Sequence, residues 1–211
     1  MNPLPRETLT ITDIPYGGRG MGRIGGKVCF VQGVLPEETV RVEITRDRRD
    51  FLEARLLEIL TLSPHRITPV CPLAFKCSSM LYSASCPGCT YQHVGYEPEV
   101  RLKNEQLVHL LTHHAGVDPN LVLPPIAAST PLGYRNKMAL HAQADGTEMK
   151  LGYFMADNTT VLDVPACPLA LPALNERLSE RRTDDSFFRT LRNGMTLTLS
   201  LIHISEPTRP Y

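Results

Sequence analysis

The chain has 211 residues, with 22 Lys and Arg against 22 Asp and Glu, seven His, no Trp and a formal net charge of zero. That length allows one or two domains around a buried core, and the balanced charge excludes a globally basic nucleic-acid binder, so such binding has to come from local patches. No apolar run follows a basic N-terminus and none approaches a bilayer span, so a cytoplasmic chain without membrane contact is expected, its six cysteines as thiols rather than disulfides.

Short strands separated by turn residues are expected from Glu7 to Leu60, opening with Leu9, Ile11 and Ile14. The glycine run Tyr16-Gly-Gly-Arg-Gly-Met-Gly-Arg-Ile-Gly-Gly26 invites a dinucleotide or S-adenosylmethionine loop, but such a loop leads from a strand into a helix. This one leads into Lys27-Val-Cys-Phe-Val31, a strand-like run, so its glycines are read as turns and bulges that let a small barrel curl. Val40, Val42 and Ile44 alternate with Thr39, Arg41 and Glu43, the period of a half-buried strand. Arg46, Arg48 and Arg49 crowd a hairpin tip, and 51–60 is either a short helix by composition or, by its place after that hairpin, a closing strand, which is preferred. Five strands in so short a stretch suggest an OB-like barrel.

With Gly20-x-Gly22-Arg23, Val31 and Leu35-Pro36, the stretch from Gly17 to Leu60 resembles a TRAM domain, a small RNA-binding barrel of RNA-modification enzymes. The resemblance implies an RNA-contacting module with Arg19, Arg23, Arg46, Arg48 and Arg49 as phosphate contacts. The bland alternative is a solvated face balanced by Glu37, Glu38, Glu43, Asp47 and Asp50.

Ser63-Pro-His-Arg-Ile-Thr-Pro69 reads as a proline-punctuated linker delivering the chain to Cys71-Pro-Leu-Ala-Phe-Lys-Cys77 and Cys86-Pro-Gly-Cys89-Thr-Tyr-Gln-His93, with one more cysteine downstream at Cys167. Cys-x2-Cys with an intervening glycine puts two thiolates on one tight turn, the spacing of a metal or cluster site. Buried apolar cysteines are the plain alternative.

A TRAM-like barrel followed by cysteines ending in Gln92-His93 resembles the RNA uracil-C5-methyltransferases that act on 23S rRNA and tRNA. Carried over, the resemblance implies a [4Fe-4S] cluster held by Cys71, Cys86, Cys89 and Cys167, the last within Val164-Pro-Ala-Cys-Pro168. The family's usual gap after the first ligand leads instead to Cys77, so either the gap is expanded, which is preferred, or Cys77 replaces one of the four. A zinc site from Cys71, Cys77, Cys86 and Cys89 stays open. Either group would be structural, because a closed four-thiolate shell has no position for substrate.

A helix is expected from Tyr96 to Ala115-Gly116, with Val100, Lys103, Leu107, Leu110 and Leu111 on a stripe and with His109 and His113 as surface residues. In Pro131-Leu-Gly-Tyr-Arg-Asn-Lys-Met138, Arg135 and Lys137 are expected on one face of a strand, suited to phosphate or base contact, against the alternative of an edge strand with exposed charges. Asp145-Gly146 marks a hairpin, Leu151-Gly-Tyr-Phe154 also resembles the family, and Leu171, Leu174 and Leu178 continue as a helix stripe.

The resemblance further implies a Rossmann-like domain that binds S-adenosylmethionine and carries the nucleophilic cysteine attacking uracil C6; nothing here matches it, and no residue is assigned to catalysis. From Leu199 to Arg209 the chain resembles a translated sequencing adapter, so 199–211 are set aside. The fold expected is therefore mixed β and α+β: an OB-like TRAM β-barrel over 1–62, a linker over 63–70, and a cysteine-cluster and α+β central domain over 71–198, with the Rossmann-like methyltransferase domain missing. The function expected is the RNA-binding, cluster-bearing N-terminal part of a 23S rRNA or tRNA methyltransferase, monomeric and by itself inactive. The alternative is a non-catalytic, metal-stabilised RNA-binding adaptor.

Overall fold

The computed structural model describes residues 5–75, 85–146 and 148–201, and the backbone of 207 and 208. Two compact units emerge, one from Met1–Pro69, Phe75–Tyr82 and Cys89–Ala127, the other from Val70–Ala74, Ser83–Gly88 and Ala128–Tyr211. Among the described residues no helix is long and apolar enough to cross a membrane.

In the first unit, strands β1 (Arg6–Thr10), β2 (Arg19–Ile24), β3 (Lys27–Gln32), β4 (Thr39–Asp47) and β5 (Phe51–Thr61) form a sheet in the order β1-β4-β5-β3-β2. Its two edges meet just past β1, where Thr12 N donates to Met21 O at 2.8 Å and Met21 N to Asp13 O at 2.7 Å, so the sheet closes as a barrel. The glycine run is a β-hairpin, as its lead into a strand requires. Gly20 and Gly22 permit the close packing of closure, since a Cβ would stand 2.2 Å from Val34 Cγ2 at the first and 2.5 Å from Thr10 O at the second.

Strand β5 settles the one ambiguous run. Its helix-forming residues are paired on both sides, antiparallel to β4 and parallel to β3, and register shifts against β4 let so long a strand bend. Tertiary pairing overrides helix propensity here. Leu9, Ile11, Cys29, Val31, Val34, Val40, Val42, Leu52 and Leu56 fill the barrel. Cys29 is fully buried, and burial pushes its thiol up to about 11, so it packs as a hydrophobe.

The segment 63–67 is more than a tether. Ile67 N donates to His93 O, Gly95 N to His65 O, and Arg66 bridges Val94, so the run after the barrel pairs with the run before helix α1 (Tyr96–Ala115). Helix α1 and the residues after it as far as Ala127 count with the barrel unit. It ends on Gly116 at φ 64°, as the Ala-Gly signal indicates. No residue of α1 is fully buried, and Leu107 of its apolar stripe is half-exposed.

The second unit is an antiparallel sheet in the order β10-β9-β6-β7-β8, from β6 (Lys137–Asp145), β7 (Glu148–Phe154), β8 (Val161–Asp163), β9 (Thr196–Ser200) and β10 (Pro207–Thr208). Asp145-Gly146 makes the β6–β7 turn. Gly152 carries no side chain because a Cβ there would lie 1.8 Å from Leu162 O, across the β7–β8 ladder. Helix α2 (Pro172–Thr183) buries Leu174 and Leu178, and the short helix α3 (Asp185–Phe188) follows. Leu199 and Ser200, the first residues of the stretch set aside from the sequence, pair with Met138 and Lys137, and Leu199 belongs to the core. Residues 202–206 and 209–211 lie outside the described residues, as does Cys77.

Candidate nucleic-acid interface and thiol group

One outer face of the barrel gathers cations around two phenylalanines. Arg19 of β2 and Arg46 of β4 both reach Glu53 of β5, at 3.6 and 3.5 Å, and the Arg19 guanidinium lies 4.9 Å above the Phe30 ring. Phe30 meets Phe51 edge-on at 5.7 Å. At the β4–β5 turn Arg48 and Arg49 are exposed, and Lys27 reaches Asp47 at 2.6 Å and Arg48 O at 2.8 Å. The structure thus brings four of the five barrel arginines to one region. Arg23 differs, turning to Gly26 O at the tip of the β2–β3 hairpin. Lys27 and the phenylalanine pair were missed in the sequence, where a lysine opening a strand and apolar strand residues carry no functional signal.

Arg135 and Lys137 do not share a strand face, contrary to expectation. Lys137 opens β6 and is exposed, whereas Arg135 lies before the strand, its N–H donating to Leu169 O at 2.7 Å and its carbonyl accepting from Leu171 N at 2.9 Å. Those bonds pair Arg135 with the segment after Cys167 and take it out of the β6 ladder. Its guanidinium feels the Cys167 and Cys86 thiols.

Cys71, Cys86 and Cys167 belong to one unit and form no disulfide. Cys71 O accepts from Ala74 N, and Cys86 N donates to Leu73 O at 2.8 Å, so the Cys86 turn hangs on the Cys71 turn. Cys167 is clamped by Asn175 of α2, which accepts from Cys167 N at 2.9 Å and donates to Cys167 O at 3.0 Å; nothing in the sequence marked that asparagine. Burial raises the Cys86 thiol, the Gly88 backbone N–H lowers it, Cys71 and Cys167 raise it by like charge, and Arg135 lowers it. A backbone N–H and a cation acting on a thiol that has two other cysteines near it suit the donor chemistry of a thiolate-bound cluster. Among the described residues, however, no three Cys, His, Asp or Glu side chains are gathered closely enough to hold a metal ion. The exposed His109 and His113 rings lie 4.2 Å apart, without a third ligand.

The residues closing the Cys-x2-Cys motif have separate tasks. Gln92 Nε2 donates to Cys89 Sγ at 3.2 Å. His93 is buried, and its Nε2 finds no hydrogen-bond partner among the described residues. Burial, reinforced by the Arg66 charge and opposed by a bond to the Val34 backbone and by Glu38, lowers its pKa to about 4. A depressed histidine pKa stabilises the fold above the unfolded value of 6.5, and that stability is lost as pH falls toward 4. About 2 kcal/mol should disappear between pH 7 and pH 5. Urea unfolding at the two pH values checks this, and His93→Gln should abolish most of the difference; an equal loss in that variant would show that another group titrates.

Comparison with known proteins places these features. Residues 6–57 match the TRAM domain model. The chain is 34% identical over 182 residues to the 23S rRNA (uracil(1939)-C(5))-methyltransferase RlmD of Pectobacterium carotovorum, a match covering 85% of this chain and 38% of that protein. It is 35% identical over 182 residues to its namesake in Alkalilimnicola ehrlichii, covering 84% and 38%. The chain therefore spans well under half the length of the curated relatives it matches. In fold it resembles the Pyrococcus abyssi tRNA (uracil-54, C5)-methyltransferase, solved with S-adenosyl-L-homocysteine, with a TM-score of 0.57 at 17% identity over 91% of this chain and 42% of that one. The chain thus carries a TRAM domain and is homologous, over most of its own length, to RNA uracil-C5-methyltransferases.

Proposed function

We propose that this chain supplies RNA binding and a cluster scaffold to an S-adenosylmethionine-dependent uracil-C5-methyltransferase acting on 23S rRNA, as a cytoplasmic monomer. The observation that carries the reading is the barrel face where Arg19, Lys27, Arg46, Arg48 and Arg49 surround Phe30 and Phe51 on a TRAM domain. Cations that track phosphates beside rings that stack bases are the composition of a single-strand binding surface. Arg23 and Lys137 extend the phosphate contacts, and Arg135 divides its charge between RNA and the neighbouring thiols. Cys71, Cys86 and Cys167, with Cys89 as the fourth, are the proposed ligands of a [4Fe-4S] cluster, with zinc on the same thiolates as the competing occupant. When bound, the group ties together segments remote in sequence and adds its binding free energy to folding.

The test is binding of a single-stranded rRNA fragment at several salt concentrations. Reversing two charges together, Arg46→Glu with Arg49→Glu, should weaken binding tenfold or more and reduce the salt slope by about 0.7 for each phosphate contact removed. Unchanged affinity and slope would sink the assignment of this face.

A further inference from the structure

Within the barrel unit, a groove of about 400 Å³ lies beside the Tyr16-Gly17 turn and along helix α1. The turn is pinned from both directions. Ile14 is buried with Leu35 and Val94, Gly18 N donates to Pro15 O at 3.2 Å, and Gln106 of α1 donates to Ile14 O at 2.7 Å. A turn held this firmly nevertheless carries Tyr16 outward, with 77% of its surface exposed. Leu107, 48% exposed, and Leu110 make the apolar wall of the groove. On the same face of α1 the Lys103 ammonium stands 5.3 Å over the Tyr91 ring and is paired with Glu99 one helical turn earlier.

We infer that this groove receives one unpaired nucleotide of a single-stranded RNA, its base stacked on Tyr16 and its phosphate beside Lys103. The inference rests on the RNA-binding reading above and adds to it a base contact away from the arginine face. Three features select this occupant. An aromatic ring on a preordered turn loses little conformational freedom when a base stacks on it, and a cation beside two tyrosines matches the sites that hold single strands by stacking and charge together. The volume lies at the small end of ligand pockets, enough for one base. The exposed apolar surface, one tyrosine and one leucine, falls far short of the roughly 800 Å² per partner that a stable protein interface buries. Because every base offers a π-face, little sequence preference is expected at this position.

The absence of tryptophan makes the test direct. Tyr16→Trp introduces the chain's sole indole at an exposed position where folding is not at stake. Its fluorescence should be quenched on titration with a short oligouridylate and stay unchanged with an abasic oligomer of equal phosphate number. Tyr16→Ala should weaken oligouridylate binding about tenfold without altering its salt slope, while Tyr16→Phe retains the affinity. Lys103→Gln should lower the slope by about 0.7. If oligouridylate binds while the indole is unquenched and Tyr16→Ala is silent, the groove is not a base site, although the arginine face stands. Equal quenching by the abasic oligomer would likewise overturn the stacking contact. If the wild-type chain binds no oligouridylate, the RNA-binding reading fails and this inference falls with it.

Discussion

Serine at position 86 should leave the chain almost devoid of iron. In the proposed assignment the wild-type chain, purified without oxygen, carries about four iron atoms and as many sulfides, and Cys86→Ser and Cys167→Ser each lose most of both. The thiolate is the ligand, and a serine hydroxyl at neutral pH does not replace it. Cys86 is the most informative position because Cys71, Cys167, Arg135 and the Gly88 N–H all act on it electrostatically. Without a positive centre, like charge and burial keep its thiol protonated; a bound cluster reverses both effects, so assembly should release protons and be weaker at low pH. Cys29→Ser is the control: that thiol is buried in the barrel with its pKa raised to about 11, so the substitution should affect packing and leave iron content unchanged. Stoichiometric zinc without iron would replace the cluster by a zinc site, and full iron content in Cys86→Ser would remove that residue from the ligand set. Asn175→Ala, which frees the Cys167 backbone from its clamp without removing a thiol, tests the same assembly and should lower iron content without abolishing it.

What the sequence made legible was what repeats or punctuates. The alternation in Val40, Val42 and Ile44, the Asp145-Gly146 turn and the Ala115-Gly116 helix stop all lie where local chemistry puts them. Strand β5 was ambiguous because its composition favours a helix and only its two neighbours decide otherwise. Arg135 was misplaced because a period of two extends any strand until something interrupts it, and the interruption is a pairing with residues more than thirty positions away. The arginines were visible one by one, but that Arg19 and Arg46 share Glu53 depends on the order of strands in the barrel. Gln92-His93 carried a family resemblance without a mechanism. The structure separates the pair, giving the glutamine to a cysteine sulfur and the histidine to the core.

The largest loss of stability in the barrel unit is expected from Glu38, which the sequence offered only as a surface counter-charge. It is fully buried. Its carboxylate accepts from Leu35 N at 2.9 Å and Ser63 N at 3.3 Å, and pairs with Arg66, whose Nη2 stands 2.8 Å away and also donates to Gly33 O at 2.8 Å. One side chain thus joins the start of β4, the end of β3 and the segment that pairs with Val94. Glu38→Ala leaves a largely buried guanidinium and two backbone donors without their acceptor, which should cost about 3–5 kcal/mol in urea unfolding. Replacing both partners with apolar residues, Glu38→Met with Arg66→Met, should recover much of that loss, because the charge left unpaired is what costs most. A loss below about 1 kcal/mol in Glu38→Ala would mean that the site relaxes to admit water and that the pair is not the pin. Iron content separates a purely structural pin from one that also presents a ligand. Arg66 bridges Val94, two residues past the glutamine that donates to Cys89, so if this pairing sets the Cys89 turn, Glu38→Ala should retain less iron than wild type even at temperatures where the barrel stays folded.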